Sequence, residues 1–385
     1  MVSPPIYLDC HATTPVDRRV WQAMEPYFCE QFGNESSHHY YGWQAATAIK
    51  QARQQLAEAI QAQPEQLIFT SGATEANNLA IKGVAEAYFT KGKHLVTVAT
   101  EHSAVLAPCR YLESLGFEVT YLPVNPDGLL DLELLENTLR PDTILVSVMA
   151  ANNEIGVLQP LAKIGEICHR HQVLFHTDAA QAIAKIPLDV EAMQIDLLSL
   201  TAHKVYGPKG IGALYRRRKR PTVQLAPQMQ GGGQEQGLRS GTLATPLIVG
   251  FAEAVRLGLA EMAEEGQRQR HLRDRLWQGL QTLGGVVLNG DFHQRLPNNL
   301  NVSITGVKGT RLLLALQPHL ALSSGSACSV ATANPSHVLT ALGRSPDLAK
   351  ASLRFGLGRF TTMTDIETAI ALITQTVQQL RESTL

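Results

Sequence analysis

Ser199-Leu-Thr-Ala-His-Lys204-Val-Tyr-Gly-Pro-Lys-Gly210 is the stretch on which the fold of this chain turns. The largely apolar run Ile195 to Leu200 predicts a buried strand, and Gly207, Pro208 and Gly210 force a turn after it. One lysine, Lys204, therefore stands at a strand end. In an α/β protein the carboxyl ends of the strands face the ligand crevice, where an amine can condense with a carbonyl compound into a Schiff base. Alone, the same residues read equally as a solvated lysine beside a turn, because most lysines are exposed. The rest of the chain has to decide between the two.

Outward from this stretch the pattern alternates. Strands are predicted at Gln66 to Thr70, Leu95 to Ala99, Glu118 to Leu122, Thr143 to Met149, Val173 to Thr177 and Ile211 to Tyr215. Helical spacing fills Ala73 to Phe89, Ala104 to Leu115, Leu132 to Leu139 and Leu161 to His171 between them, after a helix near Asp17 to Phe28 and a longer one from Trp43 to Ile60. Alternating strands and helices imply right-handed crossovers and a mostly parallel sheet. Gly231 to Gly237 reads as a long flexible loop, and Pro246 to Leu283 as a helical stretch too long for one ordinary helix, crossing a domain boundary. Strands near Val286 to Leu288, Asn299 to Ile304, Leu320 to Ser323 and Ser352 to Phe355, with a helix from Thr364 to Arg381, complete a compact α+β unit. The expected division is a large domain over 15–255 and a smaller one from 1–14 and 256–385.

With 385 residues, 44% of them hydrophobic, the chain can build a sizeable core. Its 33 basic and 34 acidic residues leave no electrostatic footprint for nucleic acid or an anionic membrane, and the Arg216 to Arg220 run reads as a solvated turn. No membrane span or signal peptide is evident, so a cytoplasmic location is expected. Cys10, Cys29, Cys109, Cys168 and Cys328 are odd in number and widely spaced, which argues against a disulfide framework or a zinc site. Cys168 with His169 and His171 has metal-like neighbours, but a surface helix explains them better.

Several stretches carry chemistry. Ser71-Gly72-Ala73-Thr74-Glu75-Ala76 follows a strand and opens a helix, so free helix N–H groups, a glycine and a hydroxyl converge on one point; it is either an anion site or a plain cap. His176-Thr-Asp178-Ala-Ala-Gln181 puts an acid at a buried strand end, where it needs a cation, an N–H partner or a helix to cap. His102 could stack on a ring, shuttle protons or be structural, and Asn152-Asn153 offers amide donors or a mere turn. In Ser323-Ser-Gly-Ser-Ala-Cys328-Ser329 the thiol lacks local apolar packing, the setting of an accessible nucleophile as well as of a strand–loop junction. Arg354 could hold a carboxylate bidentately or join a surface ion pair.

Taken together, these stretches closely resemble the cysteine desulfurase family, pyridoxal-phosphate enzymes of the class V aminotransferase superfamily. The likeness runs through Tyr7-Leu-Asp, Thr70-Ser-Gly-Ala-Thr-Glu75, Thr100-Glu-His102, Asn152-Asn-Glu-Ile-Gly156, Asp178-Ala-Ala-Gln181, His203-Lys-Val-Tyr-Gly-Pro-Lys-Gly210, Arg239-Ser-Gly-Thr242, Ser323-Ser-Gly-Ser-Ala-Cys328 and Arg354-Phe-Gly-Leu-Gly-Arg359. It implies a fold type I α/β architecture with a mostly parallel seven-stranded sheet and a smaller C-terminal α+β domain.

It implies too that Lys204 binds pyridoxal phosphate as a Schiff base, Asp178 pairs with the ring nitrogen, His102 stacks on the ring, and Gln181 and Asn153 contact cofactor or substrate. Gly72, Ala73, Thr74, Thr201 and His203 would hold the phosphate, with Thr242 reaching it from the neighbouring subunit of a homodimer. Arg354 and Asn153 would bind the carboxylate of L-cysteine, and Cys328 would attack its sulfur and pass it to an acceptor or iron–sulfur scaffold protein. The long Ser/Ala-rich segment matches the long-loop subgroup. Cys10, His11, Glu35 and Thr201 depart from the commoner family pattern, though Thr201 keeps its hydroxyl. The competing activity is a pyridoxal-phosphate lyase acting on cystine or selenocysteine, which should not need Cys328 in the same way.

Overall fold

The computed structural model describes residues 4–219, 221–324 and 335–383. Twelve strands occur among them: β1 (Ile6–Tyr7), β2 (Leu67–Thr70), β3 (His94–Val98), β4 (Glu118–Leu122), β5 (Thr143–Ser147), β6 (Leu174–Asp178), β7 (Leu197–Thr201), β8 (Gly212–Arg216), β9 (Val286–Leu288), β10 (Asn299–Ile304), β11 (Leu320–Ala321) and β12 (Ser352–Gly356). Seven form one sheet in the order β2-β8-β7-β6-β5-β3-β4. The run from β7 to β4 is parallel, and β8 lies antiparallel between β7 and β2. The α/β architecture expected from the sequence is thus present, a mostly parallel seven-stranded sheet with a smaller C-terminal unit.

β5 to β8 are buried along their whole length, as strands covered by helices on both faces must be. A polar residue in them survives only when satisfied. His176, in the middle of β6, lies between Ser147 Oγ at 2.8 Å and Ser199 Oγ at 3.0 Å on the two flanking strands. Burial pushes its imidazole down to about 3, so it stays neutral.

The Pro246 to Leu283 expectation is corrected: Thr245–Gln281 is one unbroken helix of 37 residues, about 55 Å long. Its first half packs Ile248, Phe251 and Val255 into the core around the large sheet. Its second half gives Leu272, Leu276 and Leu280 to a separate core with Ile366, Ile373 and Val377. Two apolar faces in series, with no proline or glycine pair to break it, keep the helix continuous across both. The second core rests on the antiparallel sheet β9-β10-β12 and on the parallel pair β1-β11.

Smaller corrections follow from packing. The helix near Asp17 to Phe28 is two, Arg18–Met24 and Pro26–Cys29, because Pro26 cannot continue the first. The Gly231 to Gly237 segment is tied down: Glu235 is buried and accepts hydrogen bonds from Arg53 and from the Phe69 backbone N–H at 2.7 Å. Arg216 is buried at the end of β8 and Arg217 pairs with Asp196, so the run does not begin as a solvated turn. Cys168 faces the large core on the apolar stripe of Leu161–Arg170 instead of a surface.

Candidate active site

Thr201 closes β7, a single turn of 3₁₀ helix follows over Ala202–Lys204, and Lys204 is carried to the carboxyl edge of the sheet. The turn is held by Gly207 N–H donating to Ala202 O at 3.0 Å, and a Cβ at Gly207 would sit 2.8 Å from that of Ala202. The Lys204 amine donates to the backbone carbonyls of His11 and, at 2.7 Å, Ala12. Burial, then the nearby Lys185 and Arg354 cations, bring it down to about 7, so a large share is the neutral, nucleophilic amine at neutral pH.

One strand away, Asp178 ends β6. Its carboxylate accepts from Asn77 Nδ2 at 2.7 Å and from the Ala180 backbone N–H at 2.9 Å. His102 caps the Ser103–Ser114 helix, with Nδ1 accepting from Ala104 N–H at 3.1 Å, and burial lowers its pKa. On the far side, the Ala73–Ala87 helix starts at Gly72 with no side chain capping it, so its first N–H groups are free. Gly212 lets the helix start come this close: a Cβ there would meet Gly72 Cα at 2.7 Å.

These groups border one cavity of about 480 Å³. Gly72, Ala73, Thr74, Thr201, His203, Lys204, Asp178, His102, Gln181, Asn153 and Arg354 all line it. Burial pushes His203 down to about 4. Arg354, on β12, is buried and not in a surface pair: it meets Asp9 at 2.7 Å and donates to Asn153 O at 3.1 Å, while its Nε has no partner among the described residues.

One expected residue is not brought to the cavity, and another lies outside the described residues. Thr242 is exposed and does not line the cavity. Cys328 lies outside the described residues; the nearest described position before it, Ser324, follows Ser323, whose carbonyl accepts from Arg354 N–H at 2.7 Å. Sequence reasoning missed Asp9, Asn77 and Lys185. Asn77 had a signal, three residues after Thr74 on the same helix, but nothing in sequence aims Asp9 at a residue 345 positions away.

Pyridoxal phosphate fits this donor set. An uncapped helix start beside Thr74 and Thr201 suits a phosphate, an amine near its neutral form suits an aldehyde, and the buried Asp178 carboxylate suits a protonated ring nitrogen. The guanidinium of Arg354, which lines the cavity, suits a substrate carboxylate.

Fold and site define an enzyme of the class-V aminotransferase type, and the match of residues 6–368 to the model of that family, Aminotransferase class-V, shows that the chain belongs to it. Among its relatives are the cysteine desulfurase IscS of Methylococcus capsulatus, 56% identical over 379 residues covering 98% of this chain and 94% of that protein, and the cysteine desulfurase IscS of Neisseria meningitidis serogroup C, 55% identical over 382 residues covering 99% and 94%. Among solved structures, a NifS-like protein superposes with a TM-score of 0.92 at 36% identity, covering 98% of this chain and all of that one. SspA in complex with cysteine superposes at 0.81 and 39%, covering 93% of this chain and 100% of that one.

Proposed function

We infer that the protein is a pyridoxal-phosphate-dependent cysteine desulfurase that takes sulfur from L-cysteine, releases L-alanine and hands the sulfur on for iron–sulfur cluster or thio-cofactor synthesis. The observation that carries this reading is that Lys204, Asp178, an uncapped helix start and Arg354 border one cavity. The relatives' desulfurase activity agrees with it.

When bound, the cofactor supplies an electron sink for the carbon next to the amino group. The chain's own residues do the rest. Gly72, Ala73, Thr74, Thr201 and His203 would hold the phosphate; Asp178, fixed by Asn77, would keep the ring nitrogen protonated; His102 and Gln181 would orient the ring. Arg354 and Asn153 would place the substrate carboxylate. Lys204, with an amine poised near 7, would take and return the proton on the α-carbon. The Cys328 thiolate would attack the substrate sulfur, forming the S–S bond as the C–S bond breaks; cysteine plus thiol gives alanine plus a persulfide, with no external oxidant. Thr242, exposed here, would complete the phosphate site of a second copy in a homodimer.

Alanine and sulfide are measured from L-cysteine with a reducing thiol, for wild type, Cys328→Ala and Lys204→Ala side by side. Equal yields from wild type and loss of both products in each variant are expected. Pyruvate as product, or full sulfide release by Cys328→Ala, would replace this reading with the cystine or selenocysteine lyase.

A further inference from the structure

Lys204 borders a second, much smaller cavity on its other side, lined also by Cys10, Lys185, Glu265 and Arg359. Lys185 is a lysine turned into the protein for which the reaction above has no use. Its amine donates to Gln181 Oε1 at 3.2 Å. Because an ammonium only donates, the atom facing it must be the amide oxygen, which fixes which way round Gln181 sits. Gln181 Nε2 then donates to the His11 carbonyl at 2.9 Å, the same carbonyl that accepts from Lys204. The two amines are thus joined by one amide and one carbonyl.

The same amide orientation sets the His11 ring. His11 Nδ1 lies 3.1 Å from Gln181 Oε1, so it carries the hydrogen, and the buried Nε2 is left as a bare lone pair with no partner. Burial and the Lys185, Arg354 and Lys204 cations keep this imidazole neutral. No carboxylate bonds to Lys204 directly; Asp9 and Asp178 act on it at longer range, against Lys185 and Arg354. Around Lys185 itself stand Cys10, Glu265, Tyr206, Arg359 and Lys204.

We propose that Lys185 is the positioning residue of Lys204: it fixes the amide of Gln181 that shares the His11 carbonyl with Lys204, and it sets a positive charge at the far end of that hydrogen-bonded chain. This rests on the functional reading above and adds to it a residue that touches neither substrate nor cofactor. The two amines stand at the ends of one hydrogen-bonded chain through Gln181 and the His11 carbonyl, and after burial Lys185 is the largest influence lowering Lys204. Lys185 is itself brought down only to about 8, so it keeps its charge where Lys204 begins to lose its own.

The test uses the holoenzyme and follows the pH at which the visible absorbance of pyridoxal phosphate bound to Lys204 changes. Lys185→Met and the milder Lys185→Gln, which keeps an N–H donor toward Gln181 but no charge, should each raise that midpoint by about one pH unit, and Lys185→Arg should leave it near wild type. A residue that merely packs would lower the melting temperature without moving the midpoint. Midpoints of both neutral variants within about 0.2 unit of wild type would overturn the inference. A wild-type protein that takes up no pyridoxal phosphate would instead remove the functional reading, and this inference with it.

Discussion

The two walls of the cavity are built by different means. The sheet-side wall takes Asp178 and Lys204 from the ends of adjacent buried strands and its N–H groups from the helix after β2, each set by residues within a few positions. The other wall takes Arg354 from the small sheet, held from behind by Asp9 of the N-terminal segment, and an ion pair across 345 positions joins them. The first wall is held by backbone geometry and the second by charge. Substitutions in the first should therefore cost chemistry while leaving the fold, whereas substitutions in the second should cost binding and stability together.

The largest effect expected is for Asp178→Asn. The amide keeps the shape and can still accept from Ala180 N–H, but it removes the one negative charge placed to face a cofactor ring nitrogen. Alanine formation should fall by roughly 10²–10³-fold, with the denaturation midpoint little changed. A loss under about threefold would show that the sheet-side wall does not act through charge at all.

Next comes an acid sensitivity built into the sheet behind that wall, in the core and not in the cavity. The folded protein keeps His176 neutral down to about 3, while the unfolded chain takes up that proton near 6.5. Its contribution to stability is complete above pH 6.5 and is lost as the pH falls from 6.5 toward 3, by about 1.4 kcal/mol per unit. Between pH 6.5 and 4.5 the group should cost roughly 2 kcal/mol, measured by urea unfolding. In His176→Gln the same pH drop should cost correspondingly less; an equal drop in both proteins would place the acid sensitivity elsewhere.

How much of this was legible in the sequence follows the same division. The strand, turn and lysine around Lys204, the acid closing β6 and the Gly72 helix start are local patterns, so hydrophobic periodicity and turn residues place them within a residue or two. The continuity of Thr245–Gln281 was not legible, because its apolar residues serve two cores in turn and length alone suggested a break. Nor was the burial of Glu235, which depends on Arg53 from a helix 182 positions earlier. Arg354 was singled out, but its partner was not: β1-β11 and the Asp9–Gly356 bridge bring the N-terminus to β12, and no local spacing encodes that pairing.

The smallest effect tests the charge-held wall. Asp9 accepts from Arg354 on one oxygen and from Ser323 Oγ, at 2.9 Å, on the other, so it aims the guanidinium without blocking Nε. Arg354→Lys keeps a cation but loses the planar fork, and should raise the KM for L-cysteine by about tenfold with a smaller change in kcat. Asp9→Asn keeps one acceptor oxygen for Arg354, turns the other into an N–H donor and removes the charge, and should raise KM by a factor of about three. In the double variant the two effects should fall short of multiplying, because a lysine that has already lost the fork gains little from the carboxylate. The coupling, read from KM values of the four proteins, should be about 0.5 kcal/mol or more. Strict multiplication would mean that Asp9 serves the N-terminal segment alone and that the substrate end of the cavity is set by β12 unaided.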